Sequence, residues 1–556
     1  MLHTQGLVAL VTAVLNVLAT SQTVFSSDDS RDGSQWTTFP HPIRRVAVIG
    51  AGPAGLQAAS HLLSSNLSVR LFERAPSPGG NWFYTEATPA REPYPDSPSN
   101  AGNVPDDLPA INYYFEGDDD ISLDERWREH WQPRPVWYDL VINGPSAATE
   151  LPGVKYSAGT NPAGINSHGP PPCTTSSGTS GPTPPSMASS PTTLHALHPN
   201  LQSRATPPAS EERFEKCNAT STWRLTLRRP QLLQEPNRIR EDFWQEEFDA
   251  VVVATGRFPV VHVPAIQGIE DWSRAKLSGE WSMYHAQSYR HPERYSGKTV
   301  LIVGASITAT DIARRISPFV HRLIVSVRGS RFRDAYGIDI LLRWPPNAEL
   351  VPEIAAFQPL VLHSAGISDG EIRLVNGTTL RGIDEVRAEP TYGIPADVQP
   401  QILLATGYRR NTFLPDQVNP VTLDNLHWTG HYIHDPTLAY ATVSSPWQHG
   451  RYQSAAFAKV WAGTARLPSR ARMWEDYSTG KYEFGDVLDV FLQEALELGG
   501  QFMQPLPQES REVYAYFLSA HWKKDWFTHD NYTRFDQLPA SEWPKPGPRF
   551  WAGGDW

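Results

Sequence analysis

Apolar residues in this chain gather into short unbroken runs followed by stretches of helical periodicity, the pattern of strands buried in a parallel sheet. The run Val46 to Ile49 is continuous, and after a glycine-rich turn comes "AGLQAASHLLSS", where Leu56, Ala59, Leu62 and Leu63 share one helical face. "LSVRLFER" then reads as a second strand, ending at Glu73. The three pieces form a βαβ unit. A second unit runs from "KTVLIVGAS" through the helix "TATDIARRIS" to the strand "RLIVSVRG". Two further apolar runs, "FDAVVVATG" and "QILLATGY", end in the same tripeptide, Ala254 to Gly256 and Ala405 to Gly407. Small residues at a strand end let the backbone turn close to a ligand. Because these two strands bracket the second unit, the pattern predicts an α/β protein with two Rossmann-like nucleotide-binding domains, one inserted into the other.

Elsewhere the pattern changes character. Leu7 to Ala19 is an apolar run too short for a comfortable membrane span, with small Ala19 and Ser21 placed for cleavage, so residues 1–21 read as a signal peptide or short anchor and imply the secretory route. A polar linker follows over 22–42. The first part of the outer domain is expected over 43–268, the inserted domain over 269–400, and the return of the outer domain with a C-terminal extension over 401–556. Within the first part, residues 157–210 are rich in Pro, Ser, Thr and Gly, lack periodicity and cannot bury a core. "YQSAAFAKVWAG" predicts a helix in the returning part.

Composition narrows the function. At 556 residues there is room for two to three domains with their own cores. A formal charge of −11 and the lack of any Lys/Arg-rich run exclude a nucleic-acid binder. The two cysteines, Cys173 and Cys217, form no CxxC pair, which removes dithiol reductases and cysteine metal sites; a disulfide between them stays open in an oxidising compartment. The histidines show no metal-ligand spacing. Four sequons, at Asn66, Asn218, Asn376 and Asn531, are compatible with a secreted glycoprotein.

The chemistry lies in the two glycine loops. In Gly50-x-Gly52-x-x-Gly55, the first glycine permits the tight turn, the second lets a pyrophosphate approach the backbone, and the third packs helix on strand. Glu73 falls where an acid for ribose hydroxyls is expected. The second loop reads Gly304-x-Ser306-x-x-Ala309. Ser306 is still small and adds a hydroxyl donor, and alanine is an accepted third residue. Where the first unit has Glu73, the second has Arg328. A carboxylate there selects a free 2′-hydroxyl and a guanidinium accommodates a 2′-phosphate, so the first site suits FAD and the second NADPH. The plainer alternative for Arg328 is a solvated surface arginine.

Several segments resemble flavin-containing monooxygenases of the fungal type. "VRLFERAPSPGGNW", with Gly79, Gly80 and Trp82, is similar to that family's segment after the FAD loop. "MYHAQSYRHPERYSGKTVLIVGAS" resembles its signature, His285 and Tyr289 matching HxxxY, and "LLATGY" and "HDPTLAYATVSSPW" resemble its later segments. The similarity spans roughly residues 43 to 145 and 220 to 465. It implies an FAD- and NADPH-dependent enzyme in which a hydroperoxyflavin oxygenates sulfur or nitrogen of a small molecule, with O2 as co-substrate and a fungal small-molecule pathway as setting. "VWYDLVINGP" resembles the segment with the family's active-site asparagine, which puts Asn143 beside the reacting flavin edge; Asn-Gly is also a hairpin pair, and both readings stand. His285 is open between a proton-transfer role and a structural one. Attack on a ketone in Baeyer–Villiger fashion, or a non-catalytic flavin-binding relic, are the alternatives. The chain departs from the family at Leu277, where an aromatic is usual, and over 146–215, where a helical stretch is replaced by Pro, Ser, Thr and Gly.

Overall fold

The computed structural model describes residues 36–75, 78–82, 84–89, 110–118, 121–130, 134–138, 140, 210–217, 219–233, 238–256, 260–277, 280–328, 344–360, 370–381, 401–409, 424–441 and 448–478. Two sheets organise them. The first has the order Ser68–Phe72, Arg45–Ile49, Ala250–Val253, Leu438–Tyr440, all parallel, and continues antiparallel into His431–Tyr432 and Leu426–His427. The second is parallel throughout: Met283–His285, Gln401–Leu404, Thr299–Val303, Arg322–Val327, Ala348–Pro352. Every strand of the second sheet lies in sequence between Ala250–Val253 and Leu426–His427 of the first. The inserted arrangement read from the bracketing tripeptides is therefore the arrangement found.

Both sheets are covered on both faces, which is why their central strands are continuous apolar runs. The helices Pro53–Ser64 and Gln448–Trp461 cover one face of the first sheet, packing Leu56, Leu62, Tyr452 and Phe457 against Val46 and Val48. On its other face, Ile49, Phe72 and Tyr440 meet Phe214, Trp223, Leu225 and Phe248 from an antiparallel four-stranded sheet. The second sheet is covered by the helix Ile307–Ile316 on one side and by a three-stranded sheet of Ile354–Phe357, Glu371–Leu374 and Thr379–Arg381 on the other. Neither small sheet was legible as an apolar run. The strands Thr222–Leu232 and Arg238–Phe248 carry many charges that pair across the ladder, among them Arg228 with Glu241 and Arg229 with Asp242.

One expected domain boundary is corrected. Residue 401 does not begin the return of the outer domain, because Gln401–Leu404 is hydrogen-bonded in the middle of the second sheet. Within the expected linker, Trp36 bridges Pro468, and Thr37 donates from its amide to Leu467 O and from Oγ1 to Pro468 O. The low-complexity segment stops short of Ser210, which opens a strand running to Cys217. Of the sequons, Asn66 and Asn376 stand exposed at turns. The expectations for residues 1–21, Cys173, Asn143, Asn218, Asn531 and 157–209 lie outside the described residues, as do residues 479–556 of the C-terminal extension. Among the described residues no helix is long and apolar enough to cross a membrane.

Candidate functional site

The first glycine loop joins Arg45–Ile49 to the helix Pro53–Ser64 with no room for side chains on its inner side. Gly50 has φ +99°, and a Cβ there would lie 2.5 Å from Ala254 O. A Cβ on Gly55 would lie 1.8 Å from Gly50 O. The loop backbone is tied to the sheet by Gly50 N–H donating to Phe72 O at 2.8 Å. Gly80, at φ +56°, crosses directly above: a Cβ on it would be 3.0 Å from Gly52 Cα, and Gly79 N–H donates to Ala51 O at 2.9 Å. Two glycine segments thus face one another at the start of the helix. Gly52 caps that helix without a side-chain hydrogen bond, so its first-turn N–H groups are not taken by a cap. Glu73 lies beside the loop, accepting from Ala51 N–H through Oε2 and Ala75 N–H through Oε1, both at 2.8 Å. Each oxygen keeps a second lone pair for a hydroxyl donor. The Trp82 backbone belongs to the short turn Gly80–Trp82 that follows.

The second loop repeats the design. Gly304 has φ +111°, a Cβ on it would lie 2.5 Å from Ala405 O, and its N–H donates to Ser326 O at 3.0 Å. Ser306 caps Ile307–Ile316, is exposed, and makes no side-chain cap bond. Ala309 is fully buried in the position of Gly55. Arg328 is the first residue beyond the strand Arg322–Val327 and is exposed. It stands where Glu73 stands in the first unit.

The recurring tripeptides have a shared purpose that spacing alone did not reveal. Each places its alanine carbonyl as the wall behind a glycine loop, Ala254 behind Gly50 and Ala405 behind Gly304, and each alanine N–H donates to the strand before that loop, at Ile49 O and Val303 O. Beyond them the chain crosses between sheets, and the two crossings pair: Val260–Val261 runs antiparallel to Tyr408–Arg409. His262 N–H donates to Gly407 O at 2.9 Å, and Thr406 Oγ1 donates to His262 O.

His285 closes this junction. Its Nδ1 accepts from Gln287 N–H at 3.1 Å, so the proton sits on Nε2, which donates to Gly407 O at 3.1 Å. Burial pushes its pKa down to about 3 despite the Gly407 bond. A neutral imidazole with both nitrogens on backbone groups fixes the crossing and does not transfer protons near neutrality. Tyr289, also buried, stacks on Tyr295 and meets Trp137 edge-on at 5.6 Å. Trp137 belongs to the segment that leads toward Asn143, yet it is buried in the core of the second domain. The role of Arg290, next to Tyr289, left no signal in the sequence. Among the described residues no cluster of His, Cys, Asp or Glu is placed to hold a metal ion.

Comparison with known proteins agrees with this geometry. Residues 240–342 match the family described as flavin-binding monooxygenase-like, and residues 48–104 match an NAD(P)-binding Rossmann-like domain. The chain is 30% identical to flavin-containing monooxygenase iboF of Amanita muscaria, over 79% of this chain and 82% of that protein. It is 28% identical to flavin-containing monooxygenase ustF2 of Aspergillus flavus, covering 78% and 85% respectively. The S-allyl-L-cysteine S-oxygenase of Allium sativum shares the fold, with a TM-score of 0.56 at 18% identity over 90% of this chain and 95% of that one.

Proposed function

The chain belongs to the flavin-containing monooxygenases, enzymes dependent on FAD and NADPH, and from that premise we propose that it oxygenates a sulfur or nitrogen atom of a small molecule, in a fungal small-molecule pathway. The carrying observation is the presence of two glycine cradles, each emptied of side chains by a backbone carbonyl wall, on adjoining sheets with paired crossings. A nucleotide pyrophosphate suits such a loop: the clashes a Cβ would meet at Gly50, Gly55 and Gly304 enforce the tight turn and close packing, and Gly52, where a Cβ would meet only Gly80 Cα at 3.7 Å, leaves the backbone open to approach. Gly50, Gly52, Gly55, Glu73, Gly80 and Trp82 would hold FAD, with the free lone pairs of Glu73 accepting from ribose hydroxyls. Gly304, Ser306, Ala309 and Arg328 would hold NADPH, with Arg328 on the 2′-phosphate.

FAD, when bound, supplies the redox and oxygen-activating chemistry; the chain supplies orientation and exclusion of water. The neutral His285 holds the crossings without offering a proton. In this reading Asn143 donates its amide to developing negative charge without acting as an acid. What favours a soft nucleophile is the fold shared with an S-oxygenase.

An absorbance spectrum of purified protein, before and after NADPH, tests the reading. A flavin band that bleaches with NADPH and not with equal NADH is expected. Folded protein that takes up no flavin even from added FAD would defeat it. Incubation with a thioether and with a ketone then separates the reactions: a sulfoxide supports the proposal, an ester moves it to the Baeyer–Villiger alternative.

Arg328 carries its own prediction. Losing a charge-assisted contact to phosphate costs about 1.5–3 kcal/mol. Arg328→Ala should therefore lower kcat/KM for NADPH roughly 10- to 100-fold and leave NADH almost unchanged. An equal loss for both nucleotides would return Arg328 to the role of a surface arginine.

A further inference from the structure

Arg290 is a buried arginine whose guanidinium meets backbone carbonyls instead of a carboxylate. Nη1 donates to Gln287 O and Tyr289 O, each at 2.7 Å, and Nη2 donates to Ala87 O, 203 residues away in sequence. The residue's own carbonyl accepts from Tyr138 N–H at 3.3 Å. Three segments meet here: residues 84–89, which follow the Gly79–Gly80 crossing of the first cradle; the end of the HxxxY signature on the second domain; and residues 137–138, whose Trp137 is packed into that second domain.

Neighbouring side chains line the solvent side of the junction, where Tyr138 is 41% exposed and the Glu86 side chain 65%. His291 Nε2 lies 3.0 and 3.1 Å from the two Glu86 oxygens and 3.4 Å from Tyr84 Oη. The Tyr138 ring lies 5.2 Å from His291 and 6.0 Å from Tyr84. Burial opposes ionisation of Glu86, but bonds from Tyr84 and His291 outweigh it and hold the carboxyl below its usual range. Burying a guanidinium costs more than burying an apolar side chain of similar volume. Its planar fork with fixed donors compensates only where several acceptors must be held in one geometry. None of these acceptors belongs to a glycine loop.

We propose that Arg290 is a positioning residue that couples NADPH oxidation to oxygenation, an inference that rests on the monooxygenase reading above. Its guanidinium ties residues 84–89 to the second domain, while its backbone carbonyl holds residues 137–138, so the side chain fixes how the two domains meet. In the coupled reaction NADPH, H+, O2 and substrate give NADP+, water and oxygenated substrate. In the uncoupled one NADPH, H+ and O2 give NADP+ and hydrogen peroxide, with no substrate consumed. Loosening the junction favours the second without touching either nucleotide cradle.

The test uses flavin-loaded full-length protein without substrate and compares wild type with Arg290→Met, Arg290→Lys and the exposed-site variant Glu86→Gln. Peroxide released per flavin under NADPH in air should rise about tenfold in Arg290→Met, equivalent to about 1.4 kcal/mol in a barrier. It should rise less in Arg290→Lys, which keeps one donor group, and about twofold in Glu86→Gln. The rate of anaerobic bleaching by NADPH should stay within about twofold of wild type, since hydride delivery depends on the cradles. Unchanged peroxide release in the arginine variants, or a loss of bleaching as large as the gain in peroxide, overturns the inference. If Arg290→Met does not retain flavin, the lysine and glutamine variants decide it by the same criteria. Wild-type protein that carries flavin but is not bleached by NADPH would instead remove the monooxygenase reading, and this inference with it.

Discussion

Gly304→Ala protein should purify yellow and fail to bleach with NADPH. The residue sits at φ +111°, and its new methyl carbon would lie 2.5 Å from Ala405 O. That oxygen belongs to the backbone at the end of Gln401–Leu404, a strand hydrogen-bonded on both sides, so it cannot move aside cheaply. Strain from a positive φ costs about 1–3 kcal/mol and forced overpacking about as much again. If the loop relieves that strain by moving out of the geometry that would hold the nucleotide, bending it back costs about 3 kcal/mol on binding, roughly a hundredfold loss in kcat/KM for NADPH. The mirror substitution, Gly50→Ala, meets Ala254 O at the same 2.5 Å and should instead give protein without flavin. Flavin content and NADPH bleaching of the two variants, measured side by side, give opposite patterns if each loop holds the nucleotide assigned to it. Gly304→Ala protein bleached as fast as wild type at equal NADPH would refute that division.

Acid should destabilise the protein well above the range where carboxylates titrate. Three buried histidines are held neutral: His130 is pushed down to about 2 by burial and then by Arg228 and Arg74, His285 to about 3 by burial, and His431 to about 3 by burial and then His427. Their folded pKa values lie below the unfolded value near 6.5. The unfolded chain therefore binds protons as pH falls through about 6.5, while the folded chain does not until about 3 or below. Stability is full above about pH 6.5 and is lost progressively below it. Each histidine forfeits about 1.4 kcal/mol per pH unit in that window, so the three together cost about 4 kcal/mol between pH 7 and 5.5. That is a large share of an ordinary folding free energy. Thermal melts across this range should show a falling Tm. His431→Phe should flatten the slope by about a third, because His431 packs edge-on against Phe457 and Trp461 and phenylalanine titrates nothing. A Tm that stays level from pH 7.5 to 5.5 would show that these imidazoles protonate without unfolding the chain.

The legible and illegible parts of the protein divide by sequence distance. Strand, glycine loop, helix and following strand lie within about thirty residues, so their spacing made both βαβ units readable, along with the contrast between Glu73 and Arg328. The recurrence of Ala-Thr-Gly made the insertion readable. The antiparallel sheet escaped because Thr222–Leu232 and Arg238–Phe248 carry charges whose partners lie across the ladder. Hydrophobic periodicity does not register such pairs. The boundary at residue 401 was misplaced for a related reason. An apolar run announces a buried strand but not which sheet buries it.

By itself, then, the sequence determined the two glycine loops and their βαβ settings, and set the expectation of which nucleotide each suits, since glycine placement acts through local backbone geometry. Only the tertiary structure decided that Ala254 and Ala405 wall those cradles, that His285 is neutral and bound to Gly407, and that Arg290 joins Ala87 to Tyr138. Each of these depends on a carbonyl or amide brought in from a distant segment. Backbone groups are the same in every residue type, so no side-chain pattern in the chain could announce them.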